Sequence, residues 1–285
     1  MKPEKGSDDP LASIVVGLNL SGLTMTRVIL WLIAITIVSF AIGFGILALS
    51  GGFTPGPEPV ATPFNRTAIL SPNTTAVPLD NASSGAIRII LGAGDLSVSS
   101  GARPENLVEA TVYAATPAML PEYSVSVNGS EKALSMIETG HKKKDWVFAH
   151  APDSWDNTWD VKLSDAVPFA VTVNAGAGDC DIHLGDANLT SLTVNTGAGD
   201  TTIDLSGYHG SRFGGVIHNG VGDLTFRIPE ESNTRIRLHQ GVGDIESSGL
   251  AQTDDYYTTA GFTTALPVNE ITITQGVGSI ELEAV

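Results

Sequence analysis

Six copies of one four-residue motif constrain this chain more than any other feature. The four central copies recur at spacings of 21, 23 and 21 residues. Self-similarity at a fixed period of this size is typical of folds in which one short unit is stacked many times. The copies are Gly92-Ala-Gly-Asp95, Gly176-Ala-Gly-Asp179, Gly197-Ala-Gly-Asp200, Gly220-Val-Gly-Asp223, Gly241-Val-Gly-Asp244 and a degenerate Gly276-Val-Gly-Ser279.

Alternating apolar residues flank the copies. They stand five and three positions before the first glycine, as in Val171 and Val173, and one and three positions after the aspartate, as in Cys180 and Ile182. An alternation with period two indicates a β-strand with one buried face. Each unit is therefore predicted to be a strand, a Gly-x-Gly-Asp corner and a second strand.

Glycine and aspartate suit such a corner. Glycine adopts backbone conformations with positive φ at little cost, and aspartate accepts hydrogen bonds from nearby backbone N–H groups in Asx-type turns. The pattern predicts a structural role at every corner. The residues concerned are Gly92, Gly94, Asp95, Gly176, Gly178, Asp179, Gly197, Gly199, Asp200, Gly220, Gly222, Asp223, Gly241, Gly243 and Asp244.

The repeat length decides the fold class. A unit of about 21 residues cannot bury its own apolar face, but units stacked about 4.8 Å apart share one core. We predict that residues 85–285 form an all-β ectodomain, a β-helix-like β-solenoid with 21- to 23-residue repeats. Cys180 occupies a core position of the repeat, so we interpret it as a packed residue rather than a reactive thiol.

An uncharged apolar run precedes this domain. Val28–Leu49 contains 22 residues without a charge, enough for one transmembrane helix of about 33 Å. A β-solenoid offers nothing to bury such a helix, and the run is longer than the apolar part of most signal peptides. Lys2, Lys5 and Arg27 precede the run, which predicts a short cytoplasmic segment at 1–27, a span at 28–49 and an exterior C-terminal domain.

Residues 50–84 are rich in Pro, Thr, Asn, Gly and Ser, a composition that predicts an extended stalk. Asn-x-Ser/Thr sequons occur in the stalk and beyond it. They make candidate glycosylation sites of Asn65, Asn73, Asn81, Asn128 and Asn188.

The segment 103–168 interrupts the repeats. Alternating apolar residues at 107–114, 123–127 and 133–137 predict three strands, and Asn128-Gly129 predicts a hairpin between the last two. Trp155 and Trp159 suggest an edge that packs over one end of the stack, or alternatively a platform on which a ligand stacks.

The ordered series of motifs in this chain resembles a known family, the toast-rack domain. The resemblance rests on the run from Trp155 to Pro168, on Asn174-Ala-Gly-Ala-Gly-Asp179, on the stretch from Asn195 to Gly207, and on the two Gly-Val-Gly-Asp copies after it. Toast-rack domains occur in LiaF-type proteins of the cell-envelope stress response and in adhesin-like proteins. The resemblance implies a β-helical, non-catalytic domain tied to a membrane and covers roughly residues 85–285.

LiaF-type proteins typically carry several membrane helices before this domain, whereas this sequence has one predicted span and a long stalk. The resemblance therefore implies the fold more directly than it implies regulation of a sensor kinase. A single-pass surface protein that binds a ligand, senses envelope stress or organises the envelope is the leading hypothesis.

Two other classes remain as alternatives. A polysaccharide-processing β-helix enzyme would need a carboxylate pair that stands outside the repeat pattern, and the aspartates here recur in five of the six corners. A calcium-dependent adhesion module would use Asp179, Asp200, Asp223 and Asp244 as a ladder of ligands, although nonapeptide calcium repeats have a period of nine. No cofactor is predicted.

The chain carries a formal net charge of −16, which gives an exterior domain no electrostatic basis for binding nucleic acid. Predicted partners are the membrane, an envelope component, and a protein or a second copy at an open strand edge. The last repeat, Ile271 to Leu282, is followed by three residues. We therefore expect its strands to form that edge, unless the segment 103–168 folds back over it.

Overall fold

The computed structural model describes residues 72–139, 157–210, 212–254 and 256–285. Within them the fold is all-β, with nineteen strands in two large sheets and one 3-10 turn at Pro117–Met119. The strands are β1 (Asn73–Pro78), β2 (Ser84–Ala93), β3 (Asp95–Ser100), β4 (Asn106–Ala114), β5 (Pro121–Asn128), β6 (Glu131–Glu138), β7 (Asn157–Leu163), β8 (Phe169–Ala177), β9 (Cys180–His183), β10 (Leu189–Ala198), β11 (Thr201–Asp204), β12 (Gly214–Val221), β13 (Leu224–Ile228), β14 (Thr234–Val242), β15 (Ile245–Ser248), β16 (Leu250–Thr253), β17 (Tyr256–Thr259), β18 (Asn269–Val277) and β19 (Ile280–Ala284).

Each repeat forms one rung of a β-solenoid-like stack. A rung consists of a long strand, a Gly-x-Gly-Asp corner and a short strand, so that the long strands form one sheet and the short strands the other. Neighbouring rungs pair in parallel with equivalent residues opposite one another, for example Val173 with Val194. The inward-facing apolar residues of both sheets form one continuous core, which is buried except at the β14/β15 end.

The spatial order of the rungs differs from their order in the sequence. The rungs β2/β3, β8/β9, β10/β11 and β12/β13 follow one another, but the next rung is β18/β19 and the last is β14/β15. The expectation that Ile271 to Leu282 forms an open edge is therefore wrong, because β18 lies between β12 and β14, and β19 lies between β13 and β15.

Burial explains why the last repeat occupies an interior place. Four inward positions of β18/β19 carry buried apolar residues: Ile271, Ile273, Ile280 and Leu282. The equivalent positions of β14/β15 include Ser247, and Ile245 remains 42% exposed. Placing the more apolar rung inside removes more apolar surface from water. The side chain of Ile271 also packs into the space that Gly215 leaves on β12.

The segment 103–168 packs at the opposite end of the stack. β4 and β7 extend the short-strand sheet, and the predicted hairpin, β5 and β6, extends the long-strand sheet. The alternative that this segment folds back over the C-terminal rung is therefore wrong. Trp159 is fully buried and donates from Nε1 to Asn157 Oδ1 at 2.9 Å, which excludes it as a ligand platform, whereas Trp155 lies outside the described residues.

The β domain begins earlier than the composition predicts. Residues 73–78, assigned to the stalk, form β1, which pairs antiparallel with β4 at the edge of the short-strand sheet. Among the residues that the structure describes, no helix is long and apolar enough to cross a membrane. The predicted cytoplasmic segment and the span at 28–49 lie outside those residues.

The rung order can be tested by engineered disulfides. Thr272 of β18 is the register partner of Val216 on one side and of Arg237 on the other. The pairs Val216→Cys/Thr272→Cys and Thr272→Cys/Arg237→Cys should crosslink on mild oxidation, because paired strands lie about 4.8 Å apart, within the Cα range of a disulfide. Val216→Cys/Arg237→Cys, which adjacent packing in sequence order would favour, should stay reduced at about twice that separation.

The native Cys180 does not interfere with this experiment. It is fully buried, and burial, with a smaller contribution from the neighbouring Asp181 carboxylate, raises the pKa of the thiol to about 12. A buried thiol with so high a pKa is inert to oxidants at neutral pH. Crosslinking of the 216/237 pair on a gel, with no crosslink at 216/272, would contradict the inserted rung.

Candidate functional site

The two glycines of each corner serve different steric needs. In every corner except that of Gly92, a Cβ on the first glycine would lie 2.2–2.5 Å from the carbonyl oxygen of the equivalent glycine in the adjacent rung. The second glycine has φ between +120° and +143°, a conformation that other residues reach only with strain. Both glycines are therefore required, the first by contact between rungs and the second also by its backbone conformation.

The corner aspartates connect one rung to the next. Oδ1 of Asp179 accepts the backbone N–H of Asp200 at 3.0 Å, and Oδ1 of Asp200 accepts that of Asp223 at 2.9 Å. The same bond joins Asp95 to the N–H of Asp179 and Asp223 to that of Ser279. The acceptor role expected from the sequence is present, but the donor belongs to the adjacent rung rather than to the same turn.

This arrangement leaves the aspartates poorly suited to a calcium ladder. One carboxylate oxygen of Asp179, Asp200 and Asp223 is already hydrogen bonded to backbone, and Ser279 stands between Asp223 and Asp244 in space. Over the described ranges, no group of three or more His, Cys, Asp or Glu side chains is arranged to hold a metal ion.

A row of polar side chains fills the interior of the later corners. The residue before the first glycine points inward, and from the third rung onward it is Thr196, Asn219, Gln275 and Gln240. Thr196 Oγ1 donates to Asn219 Oδ1 at 2.7 Å, and Asn219 Nδ2 donates to Gln275 Oε1 at 3.1 Å. The amides of Gln275 and Gln240 also donate to the corner carbonyls of Gly222 and Gly278.

This inner row was not anticipated from the sequence. The only available signal was the change from the apolar Leu91 and Ala175 to polar residues, first Thr196 and then amides, at one fixed position of the repeat. Because buried amides need partners, such a change indicates that neighbouring rungs share hydrogen bonds inside the corner. The Asn219 to Gln275 bond joins the two rungs that are not consecutive in the sequence.

A second row of side chains lies on the outer surface, two positions before the first glycine. The register of the long strands aligns Ile90, Asn174, Asn195, His218 and Thr274. Together with Gly92, Gly176, Gly197, Gly220 and Gly276 they line a groove of about 630 Å³, which we call the corner groove. Asn195 Nδ2 donates to Asn174 Oδ1 at 3.0 Å. Of the residues that the structure describes, no Asp, Glu, Lys or Arg lines the groove, and at its Gly92 end the Glu138 carboxylate accepts the Gly92 N–H at 2.6 Å.

A smaller depression of about 410 Å³ lies among the loops after the short strands and includes Arg212, Glu231 and Leu266. Its amide side chains already hold the loops together. Asn233 donates to the carbonyls of Thr263 and Pro267, and Asn269 accepts the N–H of Phe213. The corner groove is therefore the better candidate for a binding site.

The sequon asparagines do not gather at one site. Asn73 opens β1, Asn81 lies in the turn after it, and Asn128 ends β5; all three are exposed. Asn188 is half-buried, and its carbonyl accepts the N–H of Phe169. Asn65 lies outside the described residues. Glycosylation at these positions stays a prediction.

Comparison with known proteins gives one family and a related fold. The family described as the N-terminal domain of toast_rack, DUF2154, matches residues 68–227, more than half of the chain. The crystal structure of a proposed cell adhesion protein from Clostridium sporogenes aligns with a TM-score of 0.69 and 22% identity, covering 75% of this chain and 99% of that one. A proposed adhesin from Bacteroides fragilis aligns with a TM-score of 0.31 and 11% identity, covering 75% and 97%. No curated protein matches the chain.

Two glycines of β12 provide a matched test of the corner. Gly220→Ala places a Cβ 2.3 Å from the carbonyl oxygen of Gly197, so it should lower the free energy of unfolding by roughly 1 to 3 kcal/mol or more. Gly214→Ala meets no atom within 4 Å and should be neutral or stabilising by up to about 1 kcal/mol. Urea unfolding measures both. Equal midpoints for the two variants would show that the corners tolerate a side chain.

Two substitutions of Asp200 separate what the hydrogen bond and the charge of a corner aspartate each contribute to stability. Asp200→Ala removes the acceptor for the Asp223 N–H, which is exposed enough for water to compensate in part, so a loss of about 0.5 to 1.5 kcal/mol is expected. Asp200→Asn keeps an acceptor and removes one of several like charges about 4.8 Å apart. It should be as stable as the native chain or more so at low salt, and the difference should shrink at high salt. An Asn variant as unstable as the Ala variant would contradict this role.

Proposed function

The chain belongs to the toast-rack family, and on this premise we propose that it is a single-pass surface protein whose exterior β domain binds a ligand without catalysis. The main support for this proposal comes from the hydrogen bonds at the corners. The aspartates, the most frequently repeated chemical groups, serve the scaffold by accepting backbone N–H groups of the next rung. The repeat thereby produces a stiff stack that presents in-register rows of side chains, which suits recognition of an extended ligand.

The membrane anchor in this proposal is the apolar run at 28–49, and the basic residues before it favour a cytoplasmic N-terminus. The residues between the span and β1 then act as a stalk that holds the domain away from the membrane. The net charge of −16 keeps such a domain soluble and away from anionic lipid.

Binding, envelope-stress sensing and envelope organisation all need an exterior recognition surface. Binding is favoured here by the corner groove, a concave surface whose described lining residues include no Asp, Glu, Lys or Arg. The fold shared with the proposed cell adhesion protein of Clostridium sporogenes supports this class of role through architecture alone.

We also propose a contact with a protein or a second copy at a strand edge, located at β15 rather than at the C-terminal repeat. Among the described strands, β15 ends the short-strand sheet and pairs with β19 alone, whereas the corresponding edge of the long-strand sheet is covered by the hairpin of β16 and β17. Exposed backbone groups on such an edge accept an added strand.

The topology can be tested on intact cells that express the full chain with a C-terminal epitope tag. Added protease should remove the tag without lysis, because the proposal places the domain outside. A variant that lacks residues 28–49 should leave the membrane fraction. Digestion that occurs only after lysis would contradict the orientation, and a membrane-bound deletion variant would contradict the anchor.

A further inference from the structure

We propose that the corner groove binds a neutral, extended, β-linked polysaccharide that lies along the axis of the stack. This inference rests on the proposed exterior binding function and names its ligand class. Three features of the outer row support it: the even spacing of its members, their hydrogen-bonding chemistry, and a groove whose described lining residues include no Asp, Glu, Lys or Arg.

The spacing favours a chain-like ligand with a regular repeat. Asn174, Asn195 and His218 are register partners on three successive long strands, with Ile90 before them and Thr274 after them. At about 4.8 Å per strand, five positions extend over about 19 Å. An extended β-linked sugar chain repeats at nearly the same interval, so several of its residues can meet equivalent side chains. A compact ligand would use only one or two of these positions.

The chemistry favours hydroxyl groups. Amide, imidazole and hydroxyl side chains each donate and accept hydrogen bonds, as sugar hydroxyls do. The bond between Asn195 and Asn174 uses one Nδ2 and one Oδ1. It leaves the Nδ2 of Asn174 and the Oδ1 of Asn195 for a ligand. The first glycines add no side chains to the groove floor, so a sugar chain can approach the backbone closely.

The charge distribution favours a neutral polymer over an anionic one. Among the described residues, no Asp, Glu, Lys or Arg lines the groove. The row beside it holds Thr172, Thr193, Val216 and Thr272, and its charged members, Arg88 and Arg237, are at its two ends. The corner aspartates lie a few residues further along each rung and would repel an anionic polymer, as would the net charge of the chain. The outward face of the short-strand sheet is different, because it carries Asp160, Asp181, Asp204 and Glu281.

No tryptophan, tyrosine or phenylalanine is among the described residues that line the groove, and this determines the affinity we expect. Sugar binding by hydrogen bonds alone is weak for one residue, because each bond replaces a bond to water. Affinity should therefore rise with the length of the oligosaccharide until the row is filled.

The test is calorimetric titration of the detergent-solubilised full chain with cello-oligosaccharides of one to six residues. Cellohexaose should bind more than tenfold tighter than cellobiose, and an anionic oligogalacturonate of the same length should bind more weakly than cellohexaose. Absence of cellohexaose binding, affinity independent of length, or preference for the oligogalacturonate would each overturn the proposal.

Variants assign the binding to the groove. His218→Ala removes an exposed side chain of the row, and Asn195→Ala removes the amide at its centre, so each should weaken cellohexaose binding about tenfold or more, the equivalent of one lost hydrogen bond. Thr202→Ala and Thr225→Ala, on the outward face of the other sheet, are matched controls and should bind as the native chain does. Equal affinity in all four variants would exclude the groove.

Thermal unfolding of each variant separates lost contacts from lost folding. If Asn195→Ala proves unstable, His218→Ala still tests the groove, because the hydrogen bond to Asn174 comes from Asn195 and does not involve His218. An exterior domain that fails to bind cellohexaose would refute the ligand class and leave the surface role standing. A domain found inside the cell would refute the proposed function whatever the titration gives.

Discussion

Every other feature of this domain depends on the close approach of stacked corners. The carbonyl oxygen of one first glycine occupies the space that a Cβ of the next would need, so adjacent rungs can meet only with glycine opposite glycine. A shift of the register by one residue would bring a side chain into that contact and would turn every apolar residue to the outside. The corner therefore sets the register, and the register creates the rows of equivalent side chains inside and outside the stack.

The register also brings like charges together, and the backbone compensates for this. Exposed carboxylates of Asp179, Asp200 and Asp223 stand on successive rungs, where they repel one another. Each accepts a backbone N–H from the next rung, a bond that is stronger to an ionised group than to a neutral one. The replacement of aspartate by serine at position 279 interrupts the row of charges beside Asp244, the end of the stack.

Local sequence patterns predicted the all-β fold, the strand–corner–strand unit and the Asn128-Gly129 hairpin, because each depends on residues a few positions apart. The order of the rungs could not be predicted in this way. β14 and β18 end in nearly the same corner pattern, which differs only in Asp244 and Ser279. The choice between them as neighbours of β12 rests on contacts 56 residues apart, such as Asn219 with Gln275. The strand at Asn73–Pro78 was missed for a related reason, since its Pro- and Thr-rich composition suits an edge strand as well as a stalk.

The corner groove, too, could be predicted only in part from the sequence. Asn174 and Asn195 share a repeat position, but the sequence alone would place His239 beside His218, and in the structure Thr274 lies between them. The row therefore became a continuous uncharged surface only once the inserted rung was known.

Insertion of the last repeat changes how the stack is held together. In an ordinary solenoid each repeat contacts its sequence neighbours, so the end repeats can unfold without disturbing the rest. Here β18 and β19 lie between strands contributed by residues 214–228 and 234–248, and opening that rung would separate both neighbours. The loop before β18 is tied to the loop before β14 by Asn233, which bonds the backbone of Thr263 in both directions. The C-terminal repeat thus joins two parts of the chain, and the later rungs form one cooperative unit rather than a series of independent ones.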